Sequence, residues 1–238
     1  MPYALCLMPP STTLCLNFAP MKPSAAIFDM DGLLIDSEPL WQQAGADMLA
    51  HFGITLTEEQ YHSTTGLRTP EWVDYWFTHF TLDKQKAKEA ARLVEEGALN
   101  KIKEHGVGLP GVEYIMQFFK EKGCKIGLAS SSPMVLIEAV VEKLQIRPYL
   151  DAITSAEHLP FGKPHPQVFL NCAELLKVAP TECVVFEDSF FGMIAAKAAR
   201  MKCVVVPAPH VNHQTRWDAA DAKLNSLDEF NETVLTKL

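Results

Sequence analysis

Short apolar runs that alternate with helical patterns constrain the fold of this chain more than any other feature. The runs are residues 25–28, 125–130, 182–188 and 202–209. Each is bounded by polar or turn residues, as expected for strands that are buried on both faces of a parallel sheet. From Gly108 onward, helical and strand patterns alternate along the chain. This order predicts an α/β fold with a doubly wound (Rossmann-like) parallel sheet.

The stretch from about residue 39 to residue 106 has a different pattern. It contains three amphipathic segments, "LWQQAGADMLAHFG", "PEWVDYWFTHF" and "DKQKAKEAARLVEEGALNKIKEHG", with no convincing strand between them. A helical block that follows the first strand of an α/β domain predicts an inserted small all-helical cap. The polar "DSEP" and the glycine-containing "HGVGLPG" are its natural junctions. We therefore predict a core domain of residues 22–37 and 108–238, and a cap domain of residues 38–107.

The composition restricts the partners of the chain. Its 238 residues are 48% hydrophobic and 21% charged, which is ordinary for a globular protein. The net charge of −8 argues against non-specific binding to nucleic acid or to an anionic membrane. No stretch reaches the roughly 18 apolar residues of a membrane span. The six cysteines form no CxxC pair, so we expect them to be buried thiols in a reducing cytoplasm. We also expect the protein to be a monomer.

Residues 1–21 are predicted to be an extension outside the core. They are fairly apolar, but no basic residue precedes the apolar part, and Pro9, Pro10 and Pro20 interrupt it. This is a poor secretory signal. The segment "MKPSAAIFDMDG" then resembles a natural start at Met21. We expect either a non-core extension or a start codon assigned too early.

Polar side chains follow the predicted strands at the points where the strands end. The first strand is followed by "DMDG", the second ends in "SSS", the third ends in "EDS", and a later loop contains "GKPHP". In open α/β sheets the ligand site lies outside the carboxyl ends of the strands. The sequence therefore predicts that these groups converge at one edge of the sheet.

Asp29 and Asp31 are the first pair of this group. In an extended segment, side chains two residues apart point the same way. Two adjacent carboxylates repel each other, so one would lose its charge unless a cation lies between them. With Asp188 as a third oxygen ligand, the cluster suits Mg²⁺. Taken alone, the pair is also compatible with a helix cap and a surface acid.

Four motifs together resemble those of a known family. "FDMDG", "LASSS", "KPHP" and "FEDSFFG" occur in this order and are similar to the four motifs of the haloacid dehalogenase superfamily. The helical block resembles the small helical cap of that family, and the similarity covers residues from about 24 to 210. "DMDGLLIDSEPLW" and "GLASSSP" are most similar to sugar-phosphate phosphatases of its β-phosphoglucomutase-like branch, above all the 2-deoxyglucose-6-phosphate and hexitol phosphatases.

The resemblance implies the catalytic and metal-binding residues. Asp29 would be the nucleophile that takes the phosphoryl group, and Asp31 would be the general acid and then the general base. Dehalogenases proper lack the second aspartate, so Asp31 indicates phosphate esters. One Mg²⁺ per site, replaceable by Mn²⁺ or Co²⁺, would be held by Asp29, the backbone carbonyl of Asp31, and Asp188. Glu187 would support the site.

The resemblance also implies the groups that bind the substrate. Ser130 would bind the phosphate, and Lys163 would pair with the nucleophile and with phosphoryl oxygens. Arg68 in a cap loop is either a substrate contact or a surface arginine, and Trp41 is either a cleft residue or a core aromatic. The full set of predicted substrate-binding residues is Gly32, Ser130, Ser131, Lys163, Arg68, Glu38 and Trp41.

These inferences predict a Mg²⁺-dependent phosphatase that hydrolyses small sugar or sugar-alcohol phosphates through an aspartyl phosphate. Hexose and hexitol phosphates and 2-deoxyglucose 6-phosphate are the expected substrates. One alternative is a mutase of the β-phosphoglucomutase type, which returns the phosphoryl group to the bound sugar. Another is a phosphatase for a different small ester, such as phosphoglycolate. A receiver-type regulatory module would be shorter and would need neither Asp31 nor the cap.

Overall fold

The computed structural model describes residues 23–64 and 66–238, so the prediction for residues 1–21 lies outside the described residues. Within the described part, six strands form one sheet in the order β3-β2-β1-β4-β5-β6. All five neighbouring pairs are parallel. The strands are β1 (Ala25–Phe28), β2 (Lys125–Ser130), β3 (Ala152–Ser155), β4 (Cys183–Glu187), β5 (Lys202–Val205) and β6 (Ala222–Lys223).

The central strands are largely apolar because both of their faces are covered. Every residue of β1 is fully buried. Its alternate side chains enter two separate cores, with Phe28 on one face and Ile27 on the other. On the first face Phe28 stacks on Phe186 of β4, with 4.8 Å between the ring centroids. The predicted sheet is therefore confirmed.

The strands that the sequence did not predict lie toward the edges of the sheet. The edge strand β3 alternates buried and half-buried residues, and β6 has only two residues. Neither presents the continuous apolar run by which a fully buried strand is identified. The predicted run 202–209 also ends early, at Val205, because Pro207 has no N–H group for the ladder.

In the described part of the chain, four α-helices follow β1 and occupy the predicted cap region. They are α1 (Glu38–Ala50), α2 (Glu58–His62), α3 (Thr69–His79) and α4 (Ala87–His105). The connections on either side of these helices pair with each other: Ile35 and Gly108 form an antiparallel bridge, and the Asp36 N–H donates to the Val107 carbonyl at 2.9 Å. The chain therefore leaves and re-enters the core at one place. The exact domain boundaries stay a prediction.

Within residues 66–238, five further α-helices cover the sheet: α5 (Val112–Glu121), α6 (Met134–Lys143), α7 (Gln167–Leu176), α8 (Phe190–Ala198) and α9 (Glu232–Leu235). The apolar residues of α5 and α6 share the core of Phe28, whereas those of α7 and α8 share the core of Ile27. This two-sided cover is the doubly wound arrangement that the sequence predicts. Within the described residues, no helix is both long enough and apolar enough to cross a membrane.

Candidate active site

A cavity of about 110 Å³ lies where the carboxyl ends of the central strands meet the cap helices. The strands converge there because they are parallel and in register, with Phe28 of β1 paired to Leu128 of β2 and to Phe186 of β4. Most of the predicted site residues line this cavity, namely Asp29, Asp31, Glu38, Trp41, Arg68, Ser130, Ser131, Lys163 and Asp188. The structure therefore brings together residues that are far apart in the sequence.

Lys163 lies between two carboxylates at the bottom of the site. Its Nζ donates to Asp29 Oδ1 and to Glu187 Oε1, the latter at 2.6 Å. Lys163 is 4% exposed and Glu187 is fully buried. Burial alone would lower the pKa of Lys163, but Asp29 and Glu187 outweigh that effect and raise it above its usual range. Lys163 is therefore a fixed positive charge beside Asp29.

Asp29, Glu187 and Asp188 form a cluster that fits a divalent cation. Each offers a carboxylate oxygen, and these oxygens lie within 4.8 Å of one another. Burial raises the pKa of Asp29 and of Asp188, and the neighbouring carboxylates raise both further, while Lys163 opposes the rise. Lys163 brings one positive charge to three carboxyl groups. A hard cation such as Mg²⁺ would supply the missing charge and favour the ionised forms.

Two glycines make room for these carboxylates. A Cβ on Gly32 would collide with Asp188 Oδ2, and a Cβ on Gly192 would collide with Glu187 Oε1. Gly32 also has a φ of +74°, which favours glycine. The resemblance places Gly32 among the substrate-binding residues, where a glycine would let backbone N–H groups approach a phosphate. In the structure its own N–H donates to the Ile35 carbonyl at 3.0 Å, and its missing side chain accommodates Asp188.

The carboxylate of Asp31 is held by three donors. Ser37 Oγ and Trp41 Nε1 donate to Asp31 Oδ1 at 2.6 and 2.9 Å, and Ser132 Oγ donates to Oδ2 at 2.6 Å. Ser130 Oγ lies farther away, at 3.5 Å from Oδ2. The side chain of Asp31 is therefore oriented by hydroxyl and indole groups. It is not a member of the cluster formed by Asp29, Glu187 and Asp188.

Sequence reasoning missed the role of Ser37 and Ser132. Ser132 stands just before a proline and a helical pattern, where the sequence favours a helix cap. It does not cap that helix, because α6 has Pro133 at its N-cap and the Met134 N–H donates to Glu157. Ser37 does occupy the N-cap of α1, but its side chain makes no capping bond there. A serine just before a helix normally indicates a cap. Here both hydroxyls point to Asp31, and no local pattern distinguishes the two uses.

Ser130 and Ser131 lie at the end of β2, as predicted. Ser130 is 1% exposed, and its Oγ accepts the Ser132 N–H at 3.0 Å. Ser131 Oγ is buried in the wall of the cavity and has no hydrogen-bond partner within residues 23–64 and 66–238. A buried hydroxyl without a protein partner is available to a polar ligand or to water in the cavity. The structure thus supports both serines as candidate ligand contacts.

The cap closes the other side of the cavity. Glu38 and Trp41 of α1 line it, as do Tyr61 and Trp72, which the sequence analysis did not single out. The rings of Tyr61 and Trp72 have their centroids 6.0 Å apart. Burial, together with Glu38, raises the pKa of Tyr61 above its usual range, so its hydroxyl stays neutral. The sequence did not identify Tyr61 and Trp72 as cleft residues because aromatic residues of a core and of a cleft have the same amphipathic spacing.

Arg68 borders the cavity, but its guanidinium is engaged elsewhere. It donates to Leu159 O and Glu71 Oε1, both at 2.5 Å, and to Ala156 O at 3.1 Å. The side chain of Arg68 is 13% exposed, so Arg68 is not a surface arginine. The contact between Arg68 and the substrate stays a prediction.

Lys163→Met is expected to destabilise the protein by about 3–5 kcal/mol, because it leaves buried carboxyl groups without their cation. Lys202→Met is the matched control. Lys202 lies 3.0 Å from Asp221 in a partly exposed pair, and Asp221 keeps Lys197 as a second partner. Lys202→Met is expected to lower the free energy of unfolding by less than about 1 kcal/mol. Urea unfolding measures both, and equal costs would contradict the role of Lys163 in the buried cluster.

Comparison with known proteins identifies the family. The family model of the haloacid dehalogenase-like hydrolases matches residues 23–200. Hexitol phosphatase B of Escherichia coli (strain K12) is 45% identical over 212 residues, which cover 89% of this chain and 96% of that protein. Fructose-1-phosphate phosphatase YqaB of the same strain is 34% identical over 185 residues, covering 76% of this chain and 94% of that protein.

The fold is also shared with solved structures. A β-phosphoglucomutase from Clostridium difficile superposes with a TM-score of 0.79 at 26% identity, covering 89% of this chain and 94% of that chain. The chain therefore belongs to the haloacid dehalogenase-like hydrolase family. The predicted family and fold class are confirmed. The predicted enzyme class, phosphoric monoester hydrolase, is confirmed as well, since the matching family model is one of hydrolases and both relatives are named phosphatases.

Proposed function

We propose that this protein is a Mg²⁺-dependent phosphatase that hydrolyses monophosphates of small sugars or sugar alcohols through an aspartyl phosphate on Asp29. The observation that carries the proposal is the convergence of Asp29, Asp31 and Lys163 on one cavity. The high identity to a protein named hexitol phosphatase B supports the substrate class. The motif residues inferred from resemblance thus meet in space with the chemistry that phosphoryl transfer needs.

In the first half-reaction, a carboxylate oxygen of Asp29 attacks the phosphorus and the bond from phosphorus to the sugar oxygen breaks. Asp31 gives its proton to that oxygen, so the free alcohol leaves. In the second half-reaction Asp31 takes a proton from water, whose oxygen attacks the phosphorus and releases inorganic phosphate and the Asp29 carboxylate. Splitting the displacement into two steps lowers each barrier. A positioned acid and base contributes roughly 10²–10⁴-fold.

The other residues bind and neutralise the phosphoryl group. Lys163 places a positive charge beside Asp29, and Ser130 and Ser131 offer hydroxyls at the end of β2. Asp29 and Asp188 would hold Mg²⁺, whose charge would stabilise the charge that develops on the phosphoryl oxygens. The predictions of a monomer and of a cytoplasmic location stay predictions.

The size of the cavity supports a small substrate. At about 110 Å³ it is smaller than the roughly 300–1,000 Å³ of pockets for drug-sized ligands. Its cap side offers the apolar faces of Trp41 and Trp72 next to the Glu38 carboxylate and the Tyr61 side chain. Apolar faces beside polar groups suit a polyhydroxylated carbon chain, which presents C–H and O–H groups together.

The test is phosphate release from a panel of esters in the presence of Mg²⁺. We expect hexose and hexitol phosphates, including 2-deoxyglucose 6-phosphate, to release inorganic phosphate faster than phosphoglycolate. Glucose 1-phosphate with a bisphosphate primer is the matched assay for a mutase. Conversion to glucose 6-phosphate without free phosphate would contradict the proposal and favour the mutase alternative. Preference for phosphoglycolate would contradict only the substrate class.

A further inference from the structure

Two cap residues, Arg68 and Glu71, form hydrogen bonds with a loop of the core. The loop is residues 156–162, which ends immediately before Lys163. Arg68 Nη1 donates to the carbonyls of Ala156 at 3.1 Å and Leu159 at 2.5 Å. Arg68 Nη2 lies 3.4 Å from the Pro160 carbonyl. One guanidinium from the cap therefore contacts three carbonyl groups of this core loop, which a planar fork of five N–H donors is able to do.

Glu71 completes the contact from the first turn of α3. Its Oε1 accepts from Arg68 Nη2 at 2.5 Å and from the Gly162 N–H at 3.4 Å, and its Oε2 accepts from the Arg68 N–H at 3.2 Å. Burial would raise the pKa of Glu71, but its hydrogen bonds with Arg68 outweigh this and lower it. Glu71 therefore stays ionised and holds the guanidinium in place.

Gly162 shows how closely the cap approaches the loop. A Cβ on Gly162 would lie 2.8 Å from Arg68 Nε and 3.0 Å from Glu71 Oε2. The next residue is Lys163, whose Nζ contacts Asp29 and Glu187. Gly162, which contacts the cap, is therefore joined by one peptide bond to Lys163, the side chain that places a positive charge beside Asp29.

The start of the loop has other support, since Ala156 is fully buried, Leu159 packs against the core of Ile27, and Glu157 accepts the Met134 N–H. The part nearest Lys163 has less. Four residues of the loop face solvent: Glu157, His158, Pro160 and Phe161. Phe161 is 63% exposed. Exposed loop residues with few buried contacts are normally mobile. The contacts of Arg68 and Glu71 thus restrain the end of the loop nearest Lys163, where Pro160 and Phe161 are exposed.

We propose that Arg68 and Glu71 form a cap–core latch that positions Lys163 by fixing residues 156–162 when the cap covers the site. Both are positioning residues, since they act through the loop and not on the reacting atoms. This inference rests on the proposed function, in which Lys163 stabilises the phosphoryl group beside Asp29. The latch makes the position of the Lys163 ammonium group depend on the cap. The active site is therefore complete only when the cap covers it.

The test uses one variant on each side of the contact. Arg68→Gln removes the charged fork from the cap, and Gly162→Ala adds a methyl group that displaces Arg68 from the core side. Arg92→Gln is the matched control, because Arg92 makes comparable pairs with Glu89 and Glu96 on an exposed face of the cap. Hydrogen–deuterium exchange of a peptide covering residues 156–166 reports on the loop without requiring activity. Steady-state kinetics on p-nitrophenyl phosphate and on a sugar phosphate report on Lys163.

Both latch variants are expected to accelerate exchange in residues 156–166, whereas Arg92→Gln leaves it unchanged. Their kcat should fall about 10- to 100-fold on both substrates, with a smaller change in KM, as expected for the loss of hydrogen bonds to a charged group. Arg68→Lys should restore only part of the rate, because an ammonium cannot form the fork. Melting curves confirm that each variant is folded before it is compared.

Two results would overturn the latch. The first is unchanged exchange in residues 156–166 in both variants. The second is a rise in KM confined to the sugar phosphate with kcat preserved, which would make Arg68 a substrate contact instead. Absence of phosphatase activity in the unmodified protein would contradict the proposed function, and the exchange measurement would still decide whether Arg68 and Glu71 hold the loop.

Discussion

Asp29→Asn is expected to abolish turnover and to leave no phosphoryl group on the enzyme. The amide lacks the carboxylate oxygen that would attack phosphorus, so neither half-reaction can begin. The variant should fold, because the amide oxygen of asparagine can still accept the hydrogen bond from Lys163. It also removes one negative charge from the cluster with Glu187 and Asp188. The loss is therefore chemical and should leave the melting temperature largely unchanged.

Asp31→Asn is the matched variant, with the same change two residues away. The nucleophile remains, but the proton donor and later base is lost, so both half-reactions should slow by roughly 10²–10⁴-fold. Ser37 and Ser132 can accommodate the amide, since hydroxyls accept as well as donate hydrogen bonds. With p-nitrophenyl phosphate the leaving group needs little protonation, so formation of the phosphoryl-enzyme should suffer less than its hydrolysis.

Rapid-quench trapping of labelled phosphoryl-enzyme separates the two roles. Label should be absent from Asp29→Asn and should accumulate in Asp31→Asn when p-nitrophenyl phosphate is the substrate. Label on Asp29→Asn at the level of the unmodified protein would reject the assignment of the nucleophile, whatever the steady-state rates. Label on neither variant, with normal turnover in both, would reject the covalent route.

Removal of divalent cations with EDTA is expected to abolish activity, and Mg²⁺ to restore it. Burial raises the pKa of Asp29 and Asp188, and Lys163 supplies only one positive charge to three carboxyl groups. Without a cation, the cluster repels the phosphate and favours protonated carboxyl groups. Mn²⁺ or Co²⁺ should substitute, whereas Ca²⁺ should do so poorly because its coordination is larger and looser. Full activity after exhaustive EDTA treatment would contradict the metal requirement.

Thermal unfolding provides a readout of the metal that does not depend on turnover. A cation that binds only the folded protein at 100 times its Kd adds about 2.7 kcal/mol to the free energy of unfolding. For a chain of this size, that corresponds to a rise of about 5–10 °C in Tm. Asp188→Asn should lose this rise, whereas Asp47→Asn, an exposed carboxylate that pairs with Lys101, should keep it. An equal rise in both variants would place the cation outside the predicted cluster.

The order and type of the buried elements could be predicted from the sequence, because strands covered on both faces are largely apolar. The apolar runs predicted β1 and β2 with their observed bounds, and β4 to within one residue at each end. The same physics explains why β3 and β6 were missed: one alternates in burial and the other has two residues. Neither carries a signal that local hydrophobicity can report.

The motif residues of the candidate site were also accessible from the sequence. Residues at the carboxyl ends of parallel strands meet at one edge of the sheet, so the predicted parallel sheet was enough to group Asp29, Ser130 and Asp188. Their order in "FDMDG", "LASSS" and "FEDSFFG" carried the resemblance to the family. Chain topology alone therefore determined which strand ends would converge.

Only the tertiary structure decided what each neighbouring side chain contacts. Ser37 and Ser132 precede helices like caps but donate to Asp31, and Arg68 lies in a cap loop but binds carbonyls of the core loop 156–162. Local patterns report burial and backbone preference, which depend on residues near in sequence. The partner of a hydroxyl or a guanidinium depends on chain segments brought together across the fold, which are 101 positions apart for Ser132 and Asp31 and 91 for Arg68 and Leu159. The sequence by itself thus determined the sheet, the family and the catalytic motifs, and the packing of cap against core decided the rest of the site.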